Sequence, residues 1–169
     1  PIPGQLIIAE FMYNPHGPET ANRLEDNRAE WIELANLTDQ ALSLDYCSLS
    51  DASMVTQMLT GVAIPANGRV LLARSLDPSV NGGIFPQARF DFGLNNSANG
   101  DLIRLSCDGV ELDLVEYVNP TAPAQAYQRS LSDLNRPNDA MSVWCGASEV
   151  YFENPEHLGT PLTPNTECP

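Results

Sequence analysis

The chain has 169 residues, 43% of them hydrophobic, and a formal net charge of −14. This composition is too apolar for a disordered chain, and the length favours a single domain over residues 1–169. Proteins hold nucleic acid largely through cationic contacts, so a chain this acidic is expected to have no nucleic-acid partner. No run approaches the roughly 18 consecutive apolar residues of a membrane-spanning helix, so we expect no membrane span.

Two apolar runs near the start of the chain predict β-strands. The first covers residues 5–13 and is followed by an Asn-Pro turn. The second covers residues 29–36 and reads Ala-Glu-Trp-Ile-Glu-Leu-Ala-Asn, so Ile32 and Leu34 share one face while Glu33 lies on the other. This period of two is typical of a strand with one buried face.

Further apolar runs bounded by turn residues predict strands at 69–74, 102–107 and 110–118. The last two flank Asp108-Gly109, which has the composition of a two-residue hairpin turn. We find no helix of convincing length. Many short strands separated by turns favour an all-β sandwich.

The composition changes after residue 118, because Pro, Ala, Ser, Asn and Asp become frequent. A short strand at 127–129 and an apolar anchor at 143–145 are the regular elements expected there. We therefore expect a core at residues 5–118 and an irregular C-terminal extension, residues 119–169, that wraps over it.

The four cysteines are Cys47, Cys107, Cys145 and Cys168. They form no C-x-x-C pair and no histidine lies beside one, so a zinc site is not expected. An even number of widely spaced cysteines is typical of two disulfides in an oxidising compartment; the alternative is four free thiols in a cytosolic protein. Four cysteines allow three pairings.

The order of these motifs resembles the lamin-tail domain, an immunoglobulin-like module of nuclear lamins that is also widespread in secreted bacterial proteins. The resemblance runs from about residue 6 to 118. Its landmarks are the opening strand with Glu10 and Asn14-Pro15, the Glu-Trp-Ile-Glu-Leu-x-Asn run at 30–36, the segment 42–51, the turn at 64–68 and the hairpin at 101–118.

The tail at 159–165 resembles the Gly-Thr-Pro-Gly-x-x-Asn ending of bacterial members, with Leu162 in place of Gly. Two further departures are Tyr46 where Gly is usual and Cys47 where the family often has a core Trp. The resemblance implies an immunoglobulin-like β-sandwich in which a disulfide takes over part of the packing role of that aromatic residue.

Polar residues that belong to the resembling motifs are interpreted as structural: Glu10, Asn14, Glu30 and Asn36. A glutamate that faces inward must be paired or hydrogen-bonded, since an unpaired buried charge is very costly. Arg69 and Arg104, on neighbouring predicted strands, are the candidate partners of Glu10 and Glu30.

The resemblance also suggests a disulfide pairing. Cys47 stands where the family buries an aromatic residue, and Cys107 shares a predicted strand face with Ile103. We therefore predict Cys47–Cys107, joining inward residues of facing sheets, and Cys145–Cys168 as a clasp for the C-terminal extension.

Two acidic loops could hold Ca²⁺, which prefers hard oxygen ligands. The candidate ligands are Glu19, Glu25, Asp26 and Glu30 in the first loop and Asp91, Asn95 and Asp101 in the second. Their spacing matches no EF-hand, and solvated acidic loops with Asn and Asp in turns are the alternative. No other cofactor is expected.

The sequence gives little support to catalysis. The two histidines, His16 and His157, lie in Pro-rich segments that we expect at the surface, outside any nucleophile motif. No Gly-rich phosphate loop is present. We expect no enzyme activity.

We expect a binding, adhesion or scaffolding module, extracellular or on a bacterial cell surface, with an unidentified protein or glycan partner. The alternative is an accessory domain appended to a secreted hydrolase such as a nuclease or phosphatase. The chain begins Pro-Ile-Pro-Gly without a signal peptide, so we interpret it as a mature end or a piece of a larger protein.

Overall fold

A computed structural model describes residues 1–16, 23–135, 143–153 and 156–169. This part contains one turn of α-helix, Asp26–Ala29, and one turn of 3-10 helix, Leu131–Asp133. No helix there is long and apolar enough to cross a bilayer. The strands are β1 Leu6–Met12, β2 Trp31–Asn36, β3 Leu42–Ser43, β4 Cys47–Ser50, β5 Thr56–Met58, β6 Ala63–Ile64, β7 Arg69–Ala73, β8 Ala88–Arg89, β9 Asp101–Cys107, β10 Val110–Tyr117, β11 Tyr127–Arg129, β12 Trp144–Gly146, β13 Val150–Glu153 and β14 Glu156–Leu158.

Two sheets pack against each other. The six-stranded sheet has the order β12-β11-β1-β2-β7-β8, and the four-stranded sheet has the order β10-β9-β4-β5. The main core draws side chains from both, among them Ile8 and Leu34 from the first sheet and Leu49 and Ile103 from the second. The predicted all-β sandwich is thereby confirmed, and the five main predicted strands agree with β1, β2, β7, β9 and β10 to within two residues at each end.

Strand β2 is buried on both faces, which differs from the half-buried strand that its alternation predicted. All residues of Trp31–Asn36 are buried, including Glu33 on the face expected to be open. The cause is a second, smaller core on the outer face of the six-stranded sheet, where Trp31 packs with Met12, Leu71 and Tyr151. The C-terminal part of the chain supplies the cover of this outer core.

A β-bulge in β1 sets the direction of Glu10. The pairing of β1 with β2 skips Ala9, so Ile8 and Glu10 lie opposite consecutive residues of β2. An extra residue inverts the inside–outside alternation, and bulges commonly re-aim a side chain in this way. Ile8 and Phe11 both face the main core, while Glu10 is turned to the outer face of the sheet.

Both predicted disulfides, Cys47–Cys107 and Cys145–Cys168, are present. The first does not join facing sheets, as we had expected. Cys47 and Cys107 lie directly opposite each other on β4 and β9, which are neighbours in the four-stranded sheet, with Cα atoms 3.9 Å apart. The sequence pattern shows that both residues point inward, but it contains no information on which strands are neighbours.

The C-terminal extension is tied by a disulfide, as expected, but part of it is more regular than its composition suggested. The short strand expected at 127–129 is β11, and the anchor expected at 143–145 overlaps β12; both strands extend the six-stranded sheet beyond β1. Strands β13 and β14, which were not expected, form a separate hairpin. Side chains of this hairpin, Tyr151 and Leu158, pack on the outer core. The chain then crosses the outer face of the sheet in a segment that we call the strap, residues 159–168.

Candidate functional site

Two carboxyl groups lie side by side on the outer face of the six-stranded sheet. Glu10 on β1 and Glu33 on β2 are cross-strand partners, and neither side chain is exposed to solvent. Cross-strand neighbours stand about 5 Å apart at their Cβ atoms, so their like charges repel unless something compensates. The strap lies over this pair.

Glu10 is bound by a single residue of the strap. The backbone N–H of Thr160 donates to both carboxylate oxygens, at 2.9 and 3.1 Å, and the Thr160 hydroxyl lies 2.7 Å from Oε2. Neither Arg69 nor Arg104 forms the ion pair that we expected for Glu10; Arg104 pairs instead with Glu111. A hydroxyl and an amide therefore satisfy this carboxyl group.

Glu33 has a cationic partner and a strap partner. Arg69 Nη1 lies 2.6 Å from Oε1 of Glu33, and the backbone N–H of Leu162 donates to Oε2 at 2.5 Å. The same Arg69 nitrogen donates to Oδ1 of Asn165 at 3.1 Å. Arg69 thus connects the carboxylate pair to the strap.

Asn165 satisfies the backbone that the bulge leaves free. Its side-chain amide donates to the carbonyl oxygen of Ala9 at 2.9 Å and to that of Arg129 at 2.8 Å. The extra residue of a bulge is left unpaired in the ladder, so Ala9 needs such a donor. The bulge therefore creates both the outward Glu10 and an acceptor for the strap.

The far end of the strap is held by β11 and β12. Gln128 Nε2 donates to the hydroxyl oxygen of Thr166 at 2.5 Å, and the Ser130 hydroxyl donates to Glu167 at 2.7 Å. Cys168 completes the attachment through its disulfide to Cys145.

Burial shifts the acidity of the carboxylate pair. Desolvation, with a smaller contribution from the charge of Glu33, raises the pKa of Glu10 from its ordinary value of 4.5 to about 8. Desolvation also raises the pKa of Glu33, but Arg69 opposes it, and the value reaches about 7. Because Arg69 is next to Glu33 and favours its charged form, Glu33 is the first of the pair to lose its proton as pH rises, and Glu10 is the second.

Glu30 is a third buried carboxyl group, separate from the strap. It accepts hydrogen bonds from the backbone N–H of Leu94 at 3.1 Å and from Arg74 Nη1 at 3.3 Å. Its partner is therefore Arg74 and not Arg69 or Arg104, as we had expected. Desolvation outweighs this ion pair and raises the pKa of Glu30 to about 8.

Asn14 and Asn36, the other residues interpreted as structural, both contact the backbone. The side-chain amide of Asn36 donates to the carbonyl oxygens of Gln40 and Pro65, and its oxygen accepts from Thr38. The carbonyl oxygen of Asn14 accepts from the N–H of Ala124.

The two acidic loops that we considered for Ca²⁺ meet in the structure. Oδ2 of Asp26 accepts from the side-chain amide of Asn96 at 3.0 Å. In the second loop the acidic groups contact protein donors: the backbone N–H of Asn95 donates to Asp101, and Arg89 pairs with Asp91.

Glu25, also in the predicted calcium set, lies 3.7 Å from Arg23, and Glu19 lies outside the described residues. No group of three or more His, Cys, Asp or Glu side chains in the described part of the chain is placed to hold a metal ion. Calcium binding stays a prediction.

His157 is buried, whereas we had expected it at the surface. A ring nitrogen, Nε2, lies 2.6 Å from the carbonyl oxygen of Pro15, and the ring packs edge-on against Tyr151 and Phe152. The Pro-rich composition around it was misleading, because this segment forms β14 and covers the outer core.

A family model described as Lamin Tail Domain matches residues 2–119. The chain belongs to the lamin-tail domain family. No curated protein matches the sequence. The matched residues include the strands of both sheets except β11 and β12, and they include Glu10, Glu33 and Arg69. The strap that covers this lamin-tail core lies beyond the match.

Sequence reasoning missed the pairing of Glu33 with Glu10, and it missed the strap residues that hold this region, Thr160, Leu162 and Asn165. Thr160 and Asn165 belong to the Gly-Thr-Pro ending that was recognised as a motif, but nothing in the sequence connects that ending to β1. The bulge at Ala9, which turns Glu10 toward the strap, has no sequence signal of its own.

We expect Thr160→Val to lower the free energy of unfolding by about 1–3 kcal/mol, because the substitution keeps the volume and removes the hydroxyl beside a buried carboxyl group. Thr160→Ser, which keeps the hydroxyl, should lose less. Urea denaturation of both variants measures this. Equal losses for Val and Ser would show that the hydroxyl contributes nothing.

Leu162 adopts a left-handed backbone, with φ of 63°, at the position where the family ending has Gly. A non-glycine residue in this conformation costs on the order of 1 kcal/mol. We expect Leu162→Gly to stabilise the protein by up to about 1 kcal/mol, since it keeps the N–H that binds Glu33. Thr163→Gly, at a neighbouring position without positive φ, should destabilise it. Thermal unfolding that ranks the two variants in the opposite order would contradict this reading.

We expect stability to fall as pH rises from about 5 to 8. In this range the folded protein holds protons on Glu10, Glu30 and Glu33 that the unfolded chain, with pKa values near 4.5, has released. The free energy of unfolding then decreases with pH, by on the order of 1 kcal/mol per unit for each such group. Denaturant titrations at pH 5.5, 7 and 8.5 measure the slope. Stability that rises over this range would contradict the assignment.

Proposed function

We propose that this lamin-tail module is a non-catalytic binding or scaffolding unit of a secreted or surface protein. The observation that carries the proposal is the state of its buried carboxyl groups. Among the described residues these are Glu10, Glu30, Glu33 and Asp51, and each accepts hydrogen bonds from groups of the protein itself. Groups that are satisfied within the fold in this way are not directed at a substrate.

The two disulfides support an extracellular location. Disulfides form and persist in oxidising compartments and are rare in the cytosol. One of them lies within the main core and the other fixes the end of the strap.

The surface feature that best suits partner binding is the turn between β4 and β5 together with β5. Met54 and Met58 are 80% and 51% exposed, and Val55 between them is 49% exposed. Asp51 makes this turn rigid, because its carboxylate accepts from the Ser53 hydroxyl and the Val55 N–H. An exposed apolar tip on a rigid turn suits a protein partner, because little ordering is needed on binding.

The carboxylate of Asp101 lies against this tip, where it accepts from the backbone N–H of Ala52 at 3.0 Å. The sequence has no basic residue between Arg28 and Arg69, while Asp39, Asp45 and Asp51 lie in that interval. Asp45 is stabilised as a carboxylate, because the Gly61 N–H and the Ser43 hydroxyl lower its pKa. Strand β5 is also the last strand of its sheet. We infer a protein partner that presents an apolar, extended segment flanked by basic residues.

A protein and glycan array, probed with and without Ca²⁺, tests this function. We expect at least one protein hit, whose affinity falls tenfold or more in Met54→Asp/Met58→Asp. Asp tolerates the left-handed backbone that Met54 adopts, so the fold should survive. Phe85→Asp, at an apolar residue that is 71% exposed elsewhere, is the matched control.

A hit that both variants bind equally well would overturn the assigned surface. Glycan hits alone would overturn the protein partner. An array without hits, combined with stimulation of a hydrolase domain joined to the module, would favour an accessory role.

A further inference from the structure

The strap is attached to the sheet by two different devices. At its start, the backbone N–H groups of Thr160 and Leu162 bind Glu10 and Glu33. At its end, Cys168 is bonded to Cys145 on β12. The first attachment depends on the charge of a carboxyl pair, so pH acts on it. The second is a disulfide bond, so reduction acts on it.

We propose that the strap detaches from the sheet only when the Glu10–Glu33 pair has lost its proton and the Cys145–Cys168 bond is absent. We call the protonated carboxyl pair the proton lock and the Cys145–Cys168 bond the disulfide lock. Either lock alone keeps the strap on the sheet.

The proton lock follows from the charges around Glu10. The groups that face it are Glu33 from β2, Arg69 from β7, Tyr151 from β13 and Thr160 from the strap. Its other cross-strand neighbour, Gln128 on β11, is neutral. With Glu10 protonated, the single charge of Glu33 is balanced by Arg69. Without that proton, two buried negative charges share one cation. The Thr160 donors stabilise the new charge, but burial and the charge of Glu33 outweigh them, so lifting the strap relieves the cost by admitting water.

The pKa of Glu10, about 8, places this loss of a proton just above neutral pH. Glu30 has a similarly raised pKa, yet its partners are Leu94 and Arg74 and none of them belongs to the strap. Glu30 is therefore a matched control, because it is a buried carboxyl group whose loss of a proton should not affect the strap.

The disulfide lock follows from the two ends of the strap. One end continues from β14 at Leu158, and the other is fixed at Cys168, so the segment between them is a closed loop whose detachment gains little chain entropy. Removing the bond frees that end, so detachment of the strap then gains more chain entropy. Cys145 and Cys168 are partly exposed, whereas Cys47 and Cys107 are buried, so mild reduction should cleave the strap disulfide first.

Methyl nuclear magnetic resonance of the full chain tests the two locks, because methyl signals of Thr160 and Leu162 report the strap at every pH. The oxidised protein should show a closed strap at both pH 5.5 and pH 9. Cys145→Ser/Cys168→Ser should be closed at pH 5.5, with the open population rising about tenfold or more at pH 9. Methyl signals of Ile103 in the main core confirm that the domain stays folded.

Two substitutions in the Cys145→Ser/Cys168→Ser background show which carboxyl group holds the proton that keeps the strap closed. Glu10→Gln should keep the strap closed at both pH values, and Glu30→Gln should open it as the parent does. The inference is overturned if the parent strap is equally closed at pH 5.5 and pH 9, if Glu10→Gln opens like the parent, or if the oxidised protein opens as far as the variant. If the double variant does not fold, wild-type protein under mild reduction replaces it with the same expectations.

Discussion

The outer face of the six-stranded sheet carries two carboxyl groups, Glu10 and Glu33, at directly opposed positions of neighbouring strands. Buried like charges at such a distance are costly, and the cost falls only with protonation, hydrogen bonding or an opposite charge. The structure uses all three. Burial raises the pKa of both carboxyl groups and so favours protonation, Arg69 supplies the opposite charge, and the strap supplies the backbone N–H donors of Thr160 and Leu162.

The buried carboxyl pair needs a cover and hydrogen-bond donors, and the C-terminal part of the chain supplies both. Without the strap, Ala9 would lose the donor to its bulged carbonyl and the carboxyl pair would lose its cover. The hairpin of β13 and β14 does the same for the apolar residues of that face, because Tyr151 packs edge-on against Trp31. The lamin-tail core matched at residues 2–119 thus relies on contacts from residues beyond it.

The sequence predicted the sandwich well, because its long strands are also its most periodic segments. β1, β2, β9 and β10 combine apolar alternation with clear turn residues, and Asp108-Gly109 marks the hairpin between the last two. Local chemistry is enough to find such elements. Cys47–Cys107 could be paired with the help of the family resemblance, although it was not placed between the correct strands, and Cys145–Cys168 could be paired because both cysteines lie in the C-terminal extension.

The site itself could not be predicted for physical reasons. Glu33 lies in an alternating strand, so local pattern assigns it to solvent, and only distant residues bury it. The β-bulge at Ala9 could not be predicted, because an alanine within an apolar strand does not indicate a bulge. Strands β13 and β14 are short, and they form because they pair with each other and cover apolar residues, not because of their own propensity. The Gly-Thr-Pro ending was visible, but its target on β1 is set by the fold.

Native-state hydrogen exchange at the amides of Thr160 and Leu162 tests most directly whether the strap is an integral part of this fold. These two protons are bound to the carboxyl pair, so we expect exchange slowed on the order of a thousandfold or more relative to an unstructured peptide, at pH 6 in the oxidised protein. Protection should approach that of β1 and β2. Exchange of both amides at the rate of an unstructured peptide, with β1 still protected, would contradict the account.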